Sequence, residues 1–147
     1  MKKSITLVVA LLAFLAPLLH AQTWNAPITV IGPYTGTGGR FGHHPKLLVV
    51  NGNPAMAAYD VTRGSLLFVR ATDASGTAWG TPVPVDVGGD VGRWISMQIV
   101  HGNPAIAYYD LTNADLKYVR ATDASGTAWV SLVTDLGGVR WPVGQAA

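Results

Sequence analysis

The alternation of apolar and polar residues predicts short β-strands. In residues 104–109, Ala105 and Ala107 fall on one face of an extended strand. Ile106 and Tyr108 fall on the other face, so both faces are apolar. A single sheet in water would not tolerate this pattern, whereas sheets stacked face to face would bury both sides. After the first 21 residues, no window shows the 3.6-residue apolar period of a helix.

The pattern repeats after 50 residues. Residues 69–79, with the sequence VRATDASGTAW, return without a change as residues 119–129. The segment GNPA occurs at residues 52–55 and again at residues 102–105, with the same offset. Exact recurrence at a fixed distance indicates tandem structural repeats of about 50 residues.

Each repeat is predicted to hold four short strands separated by turns. In the second copy we predict the strands at residues 95–100, 104–109, 116–121 and 127–134. The connections are as short as those of hairpins, so each repeat should be an antiparallel meander. Four strands in about 50 residues is the size of a β-propeller blade, and stacked blades bury both faces of each sheet.

The expected fold is therefore all-β, with four-stranded antiparallel blades that form part of a β-propeller. The repeats are expected at residues 24–78 and 79–128, with an incomplete repeat at residues 129–147. About two and a half blades would not close a ring, since propellers typically have four to eight. We hypothesise either a fragment of a longer propeller or self-association of several chains around one axis.

Residues 1–21 have the successive regions of a secretory signal peptide, a basic start followed by an apolar run. Lys2 and Lys3 precede an apolar run of 15 residues, 5–19. This run is shorter than the roughly 20 residues that a membrane-spanning helix needs. We therefore expect no membrane span and a secreted protein, periplasmic or extracellular, that begins at Gln22.

Loss of the signal peptide would change the charge balance. The chain has 10 basic and 8 acidic residues, and without Lys2 and Lys3 it has 8 of each. With no net charge, a nucleic-acid partner is not expected. The chain contains no Cys, so stability must come from apolar burial and strand pairing instead of disulfides.

The repeated segments resemble bacterial secreted β-propeller repeats. The resemblance lies in GNPAIAYYD at residues 102–110 and DLKYVRATD at residues 115–123, followed by a turn and Trp129. Residues 123–129, DASGTAW, and their copy at 73–79 are similar to the Asp-box of sialidase (neuraminidase) propellers. In this chain two residues, and not one, separate the Asp from the Gly, and Ala replaces the usual leading Ser.

The resemblance implies a structural role for this turn. In the family, the turn joins the third and fourth strands of a blade, its carboxylate binds turn amides, and its Trp packs between blades. An Asp at the head of a tight turn accepts backbone N–H bonds on physical grounds as well. The structural turn residues expected on this basis are Asp73, Gly76, Trp79, Asp123, Gly126 and Trp129.

No catalytic constellation stands out in the sequence. By the same resemblance, a sialidase would need an arginine cluster, a Tyr nucleophile with a Glu partner, and an acid/base Asp. The chain contains no Glu, so paired carboxylates would have to come from Asp alone. We therefore expect a protein that is not an enzyme and has no cofactor; a fragment of a sialidase-like glycoside hydrolase is the alternative.

No metal site is predicted either. His43 and His44 are adjacent, and neighbouring residues of a strand point to opposite faces, so one ion would hardly bind both. Residues 110–115 include four side chains with oxygen ligands, Asp110, Thr112, Asn113 and Asp115, which would suit a calcium ion. Their copy at residues 60–65 replaces two of these ligands, so an Asx-type turn explains both versions better.

A ligand-binding surface at the blade ends is the remaining candidate. Aromatic rings beside Asp side chains suit sugar hydroxyls, and propellers commonly place their pockets at blade ends. The residues expected there are Tyr59, Asp60, Tyr109 and Asp110 at the end of the second strand, and Arg93, Trp94 and His43 near the start of the first. We therefore predict a non-catalytic module that binds a glycan or a cell surface, with a purely structural role as the alternative.

Overall fold

The computed structural model describes residues 26–31, 42–130 and 134–135. Within these ranges the protein is all-β, with no helix. The strands are β1 (His43–Val50), β2 (Asn53–Asp60), β3 (Ser65–Arg70), β4 (Val83–Asp86), β5 (Val91–Val100), β6 (Asn103–Asp110), β7 (Asp115–Arg120) and β8 (Thr134–Asp135). The predicted signal peptide, the predicted start at Gln22, the start of the first repeat at Trp24, and the chain after residue 135 lie outside the described residues. No helix in the described ranges has the length and apolar character needed to cross a membrane.

The strands form two four-stranded antiparallel sheets, each a meander in the order of the sequence. The first sheet contains β1 to β4 and the second contains β5 to β8. Their registers match at the offset of 50, since Ala57 pairs with Phe68 in the first sheet as Ala107 pairs with Tyr118 in the second. The prediction of an all-β, antiparallel fold is confirmed.

The first hairpin of each sheet depends on a two-residue turn. Asn51 and Gly52 connect β1 to β2 with φ angles of 45° and 79°. His101 and Gly102 connect β5 to β6 with φ angles of 48° and 80°. Positive φ at both positions is the geometry of a type I′ turn, whose twist matches that of the flanking strands.

The fourth strand of each sheet begins later than the sequence predicted. Trp129 makes only an isolated bridge with Ala121, and the pairing of β8 with β7 is found at Thr134–Asp135. In the first sheet, Trp79 makes the equivalent bridge and β4 begins at Val83. The preceding turn binds its own backbone amides, and in the first repeat Pro82 also has no N–H to donate to a strand ladder.

The two sheets pack face to face around one apolar core. The first sheet contributes Val50, Ala55, Ala57, Leu66 and Phe68, and the second contributes Val91, Ile95, Met97, Ile106, Tyr108 and Val119. The Phe68 ring centroid lies 5.2 Å from that of Trp129, in an edge-to-face contact. Both sequence copies thus contribute to the same core.

Two glycines allow the second sheet to approach the first closely. A Cβ at Gly92 would lie 3.0 Å from the Cα of Leu66, and a Cβ at Gly126 would lie 2.6 Å from the Phe68 ring. Gly92 and Gly126 also have positive φ, at 103° and 71°. Any larger residue at either position would push the two sheets apart.

The identical turns provide a matched test of this contact. Gly76 and Gly126 both have a φ of 71°, but the atoms nearest to a Cβ at Gly76 would belong to Pro54 and Trp79, at 3.3 Å or more. Gly76→Ala should destabilise the protein by about 1 kcal/mol through its backbone conformation alone. Gly126→Ala should lose about 1–3 kcal/mol more, because the new methyl group meets Phe68. Urea unfolding of both variants measures the difference; equal losses would contradict the described sheet packing.

Candidate ligand-binding site at the bulges of β1 and β5

β1 and β5 each contain a bulge at the same position of the repeat. Their pairing registers shift between His43 and Lys46, and between Arg93 and Ser96. Within these bulges, His44 has a φ of 51° and Trp94 a φ of 47°. The left-handed conformation costs a non-glycine residue roughly 1–2 kcal/mol, so the surrounding strands must impose it in both copies.

The two bulges bring four aromatic rings together where the sheets meet. The Trp94 ring centroid lies 5.8 Å from His44 and 5.1 Å from Tyr109. The His44 ring lies 6.5 Å from Tyr59. We call these four residues the aromatic cluster. Trp94 is 63% exposed, since a bulge can direct a side chain out of the regular alternation.

A charged pair borders the aromatic cluster. The Arg93 guanidinium donates to both carboxylate oxygens of Asp90, from Nη2 at 2.8 Å and from Nε at 3.3 Å. The Tyr59 hydroxyl donates to Asp90 at 2.5 Å. Arg93 also lies over the Tyr59 ring, 5.3 Å from its centroid. Arg93 and Asp90 remain partly exposed, so both can meet a ligand from a fixed position.

The loop that carries Asp90 is anchored to the turn between β6 and β7. The backbone N–H of Leu111 donates to the Asp90 carbonyl at 2.8 Å, and the Asp90 N–H donates to the Thr112 hydroxyl at 2.8 Å. Two backbone anchors therefore hold the carboxylate in place before any ligand arrives. Preorganisation of this kind reduces the entropy lost on binding.

The electrostatics of the site favour fixed protonation states. Burial and the hydrogen bond to Asp90 raise the pKa of Tyr59 above its ordinary value. Hydrogen bonds to Tyr59 and Asp90 raise the pKa of Arg93 further. Tyr59 therefore stays protonated and Arg93 stays charged at neutral pH. Both groups are suited to hydrogen bonding and poorly suited to proton transfer.

Four of the seven ligand residues proposed from the sequence lie at this site: Tyr59, Arg93, Trp94 and Tyr109. Asp60 and Asp110 lie elsewhere, because both are buried and face their own turns. Asp60 accepts from the Thr62 and Arg63 backbone amides and from the Arg63 guanidinium. The Asp60 and Asp110 carboxylates stabilise the fold and are not presented to solvent.

Sequence reasoning missed two members of the site. The sequence argued against a metal pair of His43 and His44 and gave His44 no other role, although the offset of 50 aligns it with Trp94. Asp90 aligns with Arg40, so the repeat gave no signal for it. His43 is the first residue of β1 and pairs with Tyr59 of β2, and its ring centroid lies 6.4 Å from that of His44. Among residues 42–130, no three His or Asp side chains are arranged to hold a metal ion.

A network of polar side chains is buried between the sheets. Lys117 Nζ lies 2.6 Å from Asp110 and 3.5 Å from Asp86, which belongs to the first sheet. The Tyr108 hydroxyl donates to Asp86 at 2.7 Å. Burial alone would lower the pKa of Lys117, but Asp110 and Asp86 raise it above its ordinary value. The result is a paired network that links the two sheets and leaves no charge for a ligand.

The two Asp-headed turns lie at the other end of the strands from the aromatic cluster. Asp123 accepts the backbone N–H groups of Ser125 at 2.8 Å, Thr127 at 3.2 Å and Ala128 at 2.8 Å. The Trp129 indole N–H donates to the Gly126 carbonyl at 2.9 Å. The first copy makes the same bonds from Asp73 to Ser75, Thr77 and Ala78, and from Trp79 to Gly76. These contacts complete the turn internally.

Comparison of the chain with protein-family models, with curated proteins and with solved structures found no match. The interpretation of the site therefore depends on its geometry and chemistry.

The buried network can be tested with a variant that copies the first repeat. In the first repeat, Leu67 occupies the position of Lys117, and Arg63 occupies the position of Asn113. Arg63 pairs with Asp60 at 3.1 Å. Lys117→Leu should destabilise the protein by about 3 kcal/mol, because two buried carboxylates lose their cation. Adding Asn113→Arg should recover part of that loss by giving Asp110 a new partner. Urea unfolding of the single and double variants measures the recovery; its absence would contradict the assigned pairing.

Acid should destabilise the protein through its Asp side chains. Burial alone would raise the pKa of Asp110, but hydrogen bonds from Lys117 and Asn113 hold that pKa below its ordinary value. Turn hydrogen bonds likewise lower the pKa of Asp73, and they lower that of Asp123 although its burial alone would raise it. Stability from a lowered pKa is complete above the unfolded value of about 3.9 and is lost as the pH falls through the folded value. The urea concentration at the unfolding midpoint should therefore decrease as the pH is lowered below about 4. In Asp123→Asn this decrease should be less steep.

Proposed function

We propose that this protein is a non-catalytic binding module of a secreted, propeller-type repeat protein, and that it binds carbohydrate at the aromatic cluster. The observation that carries the proposal is the pair of strained bulges in β1 and β5. Both place an aromatic residue, His44 or Trp94, in a left-handed conformation at one end of the sheets. Strain maintained at equivalent positions is typical of sites where the geometry serves a ligand.

The chemistry of the site suits a sugar. Trp94 offers an exposed ring face for the apolar C–H groups of a pyranose. Asp90 supplies acceptors and Arg93 supplies donors for the hydroxyl groups, and their mutual contacts fix both in position. A few oriented polar groups beside aromatic rings are typical of small-ligand sites.

Binding is favoured over hydrolysis by the state of the polar groups. Ordinary glycoside hydrolysis needs two carboxyl groups that flank the bond to be cleaved. Among the described residues, Asp90 is the carboxylate that contacts the aromatic cluster, through Tyr59. The Tyr59 hydroxyl is engaged by Asp90 and has a raised pKa, which opposes a role as nucleophile.

The propeller-type assignment is supported by the arrangement of the two sheets. Each is a four-stranded antiparallel meander, the two repeat after 50 residues, and they pack face to face. These are the size and packing of neighbouring propeller blades. The proposed secretion of the protein is supported by the signal peptide predicted at residues 1–21.

The strained position of Trp94 allows binding and stability to be separated. Trp94→Gly should abolish retention on a glycan array, with an affinity loss of about 30-fold or more for any glycan that the unmodified protein binds. The same change should leave the thermal midpoint equal or higher, because Gly tolerates the positive φ. His101→Asn is the matched control: it removes an exposed ring at the other end of β5 and restores the Asn-Gly turn of the first repeat.

Two results would contradict the proposal. One is retention of all glycans by Trp94→Gly with a lower thermal midpoint, which would indicate a structural role for the ring. The other is release of sugar from a fluorogenic sialoside by the unmodified protein, which would indicate the glycoside hydrolase alternative.

A further inference from the structure

The second sheet carries a shallow groove on the face turned away from the first sheet. On this face the strand registers place Ala107 between Ser96 of β5 and Tyr118 of β7. Two residues along β6, they place Ala105 between Gln98 and Arg120. Because alanine has a short side chain, β6 forms a floor between two higher walls. We call this the open groove; its walls are Ser96 and Gln98 on one side, and Leu116, Tyr118 and Arg120 on the other.

Arg120 closes one end of the open groove. Its guanidinium donates from Nε to the Val100 carbonyl at 2.9 Å, so the side chain crosses β6 above Ala105. Ala105 is therefore only 3% exposed. Ala107, farther from this end, is partly exposed. The groove is thus closed at this end by a side chain of its own sheet and is open beyond it.

The other end of the open groove meets the aromatic cluster. Tyr109, two residues beyond Ala107, pairs with Leu116, which is 56% exposed. The Tyr109 ring centroid lies 5.1 Å from that of Trp94. From Ala105 to Tyr109 the strand advances roughly 13 Å, at about 3.3 Å per residue. The groove and the aromatic cluster therefore form one continuous surface that is longer than a single sugar ring.

The first sheet has the same groove, and the second sheet fills it. In the first sheet, Ala57 forms the floor and pairs with Phe68. Ile106 and Tyr108, on the opposite face of β6 from Ala107, share an apolar core with both of these residues. A groove of this shape on a sheet of this repeat thus accepts an occupant along its length.

The walls of the open groove carry uncharged polar groups where the filled groove is apolar or charged. Three wall positions differ at the offset of 50: Leu48 is replaced by Gln98, Phe68 by Tyr118 and Lys46 by Ser96. The first two replacements add hydrogen-bonding atoms, and the third removes a charge. An apolar sheet packed here would bury these polar atoms without partners, which costs free energy. The open groove therefore suits an occupant that carries hydrogen-bonding groups and no charge.

We propose that the open groove is a second subsite for the ligand of the aromatic cluster, and that this ligand is a neutral, linear oligosaccharide. One sugar would stack on Trp94, and the units that follow would lie along β6. Ser96 and Gln98 would form hydrogen bonds with their hydroxyl groups, and Tyr118 would offer a ring face beside a hydroxyl. The inference rests on the proposed carbohydrate binding and extends it from one sugar to a chain.

The position of the groove argues against an extended peptide as the occupant. Peptides that bind as an added β-strand do so at the edge of a sheet, where main-chain groups are free to pair. β6 is an inner strand, hydrogen-bonded to both β5 and β7. The open groove therefore offers side chains, and the hydroxyl groups of a sugar chain can satisfy them. Arg120, the charged residue of its walls, already donates to the Val100 carbonyl, which favours a neutral chain over an acidic one.

The test compares sugar chains of one to six units on an array that carries glucose, xylose and N-acetylglucosamine series beside sialylated and uronic-acid chains. Isothermal titration calorimetry then measures the affinity of the full chain for each length of a neutral series that it retains. Affinity should rise about tenfold from one unit to about three units and then level off, because the groove ends at Arg120.

Variants of the groove locate this rise. Tyr118→Ala should remove it, so that three units bind no more tightly than one. Gln98→Ala, at an exposed position where folding is not at risk, should reduce it. Trp94→Gly should lose binding at every length. Leu47→Ser is the matched control: it replaces an exposed apolar residue of β1, outside the groove, and should keep the rise. Circular dichroism shows whether each variant retains the fold.

Different results would overturn different parts of the proposal. Equal affinity for one unit and for longer chains would exclude the second subsite and leave the aromatic cluster as a site for one sugar. A rise that persists in both groove variants would place the further units elsewhere and exclude it as well. Retention of sialylated or uronic-acid chains alone would contradict a neutral ligand. If the unmodified protein retains no sugar, the proposed function fails and this inference fails with it; retention of peptides on a parallel array would then indicate a peptide ligand.

Discussion

The close face-to-face contact between the two sheets is the interaction on which the structure depends. Apolar residues occur on both faces of the strands, so neither sheet could be stable alone in water. Phe68 lies at the centre of the contact, between the Gly126 backbone and the Trp129 ring. Because the chain has no disulfides, this burial must supply most of its stability. The glycines at positions 92 and 126 matter because they set how closely the sheets approach.

The polar side chains around this contact fall into three sets: a buried network, the Asp-headed turns and the residues at the bulges. The network of Asp86, Tyr108, Asp110 and Lys117 spans the two sheets, and each charge in it is paired. The Asp-headed turns at one end satisfy their own backbone amides. At the other end, the bulges hold aromatic rings in a strained and accessible arrangement. Among the described residues, this division is consistent with our proposal that a ligand binds at the aromatic cluster.

The candidate site and the sheet contact are coupled. His44 and Tyr59 come from the first sheet, and Trp94 and Tyr109 come from the second. The aromatic cluster therefore exists only where two sheets meet.

Local features of the structure could be predicted from the sequence because their causes are local. Strand alternation and the short turns between strands depend on residues close together in the chain. Four of the seven proposed ligand residues lie at the site for the same reason, since strand ends follow from the repeat. The late start of the fourth strands was missed, because the amides of the preceding turn are already bound and strand pairing resumes only after it.

Burial and backbone strain were decided by the tertiary structure. Asp60 and Asp110 turn inward because the neighbouring turns and Lys117 offer them partners. His44 and Trp94 adopt positive φ within the bulges of β1 and β5, a backbone conformation that the local sequence does not indicate. Leu66 and Leu116 are the same residue at the same position of an internal repeat, and one is buried while the other is exposed. The sequence determined that both positions are apolar; which of them is covered depends on the sheet packed against it, since burial is a property of the neighbours in space.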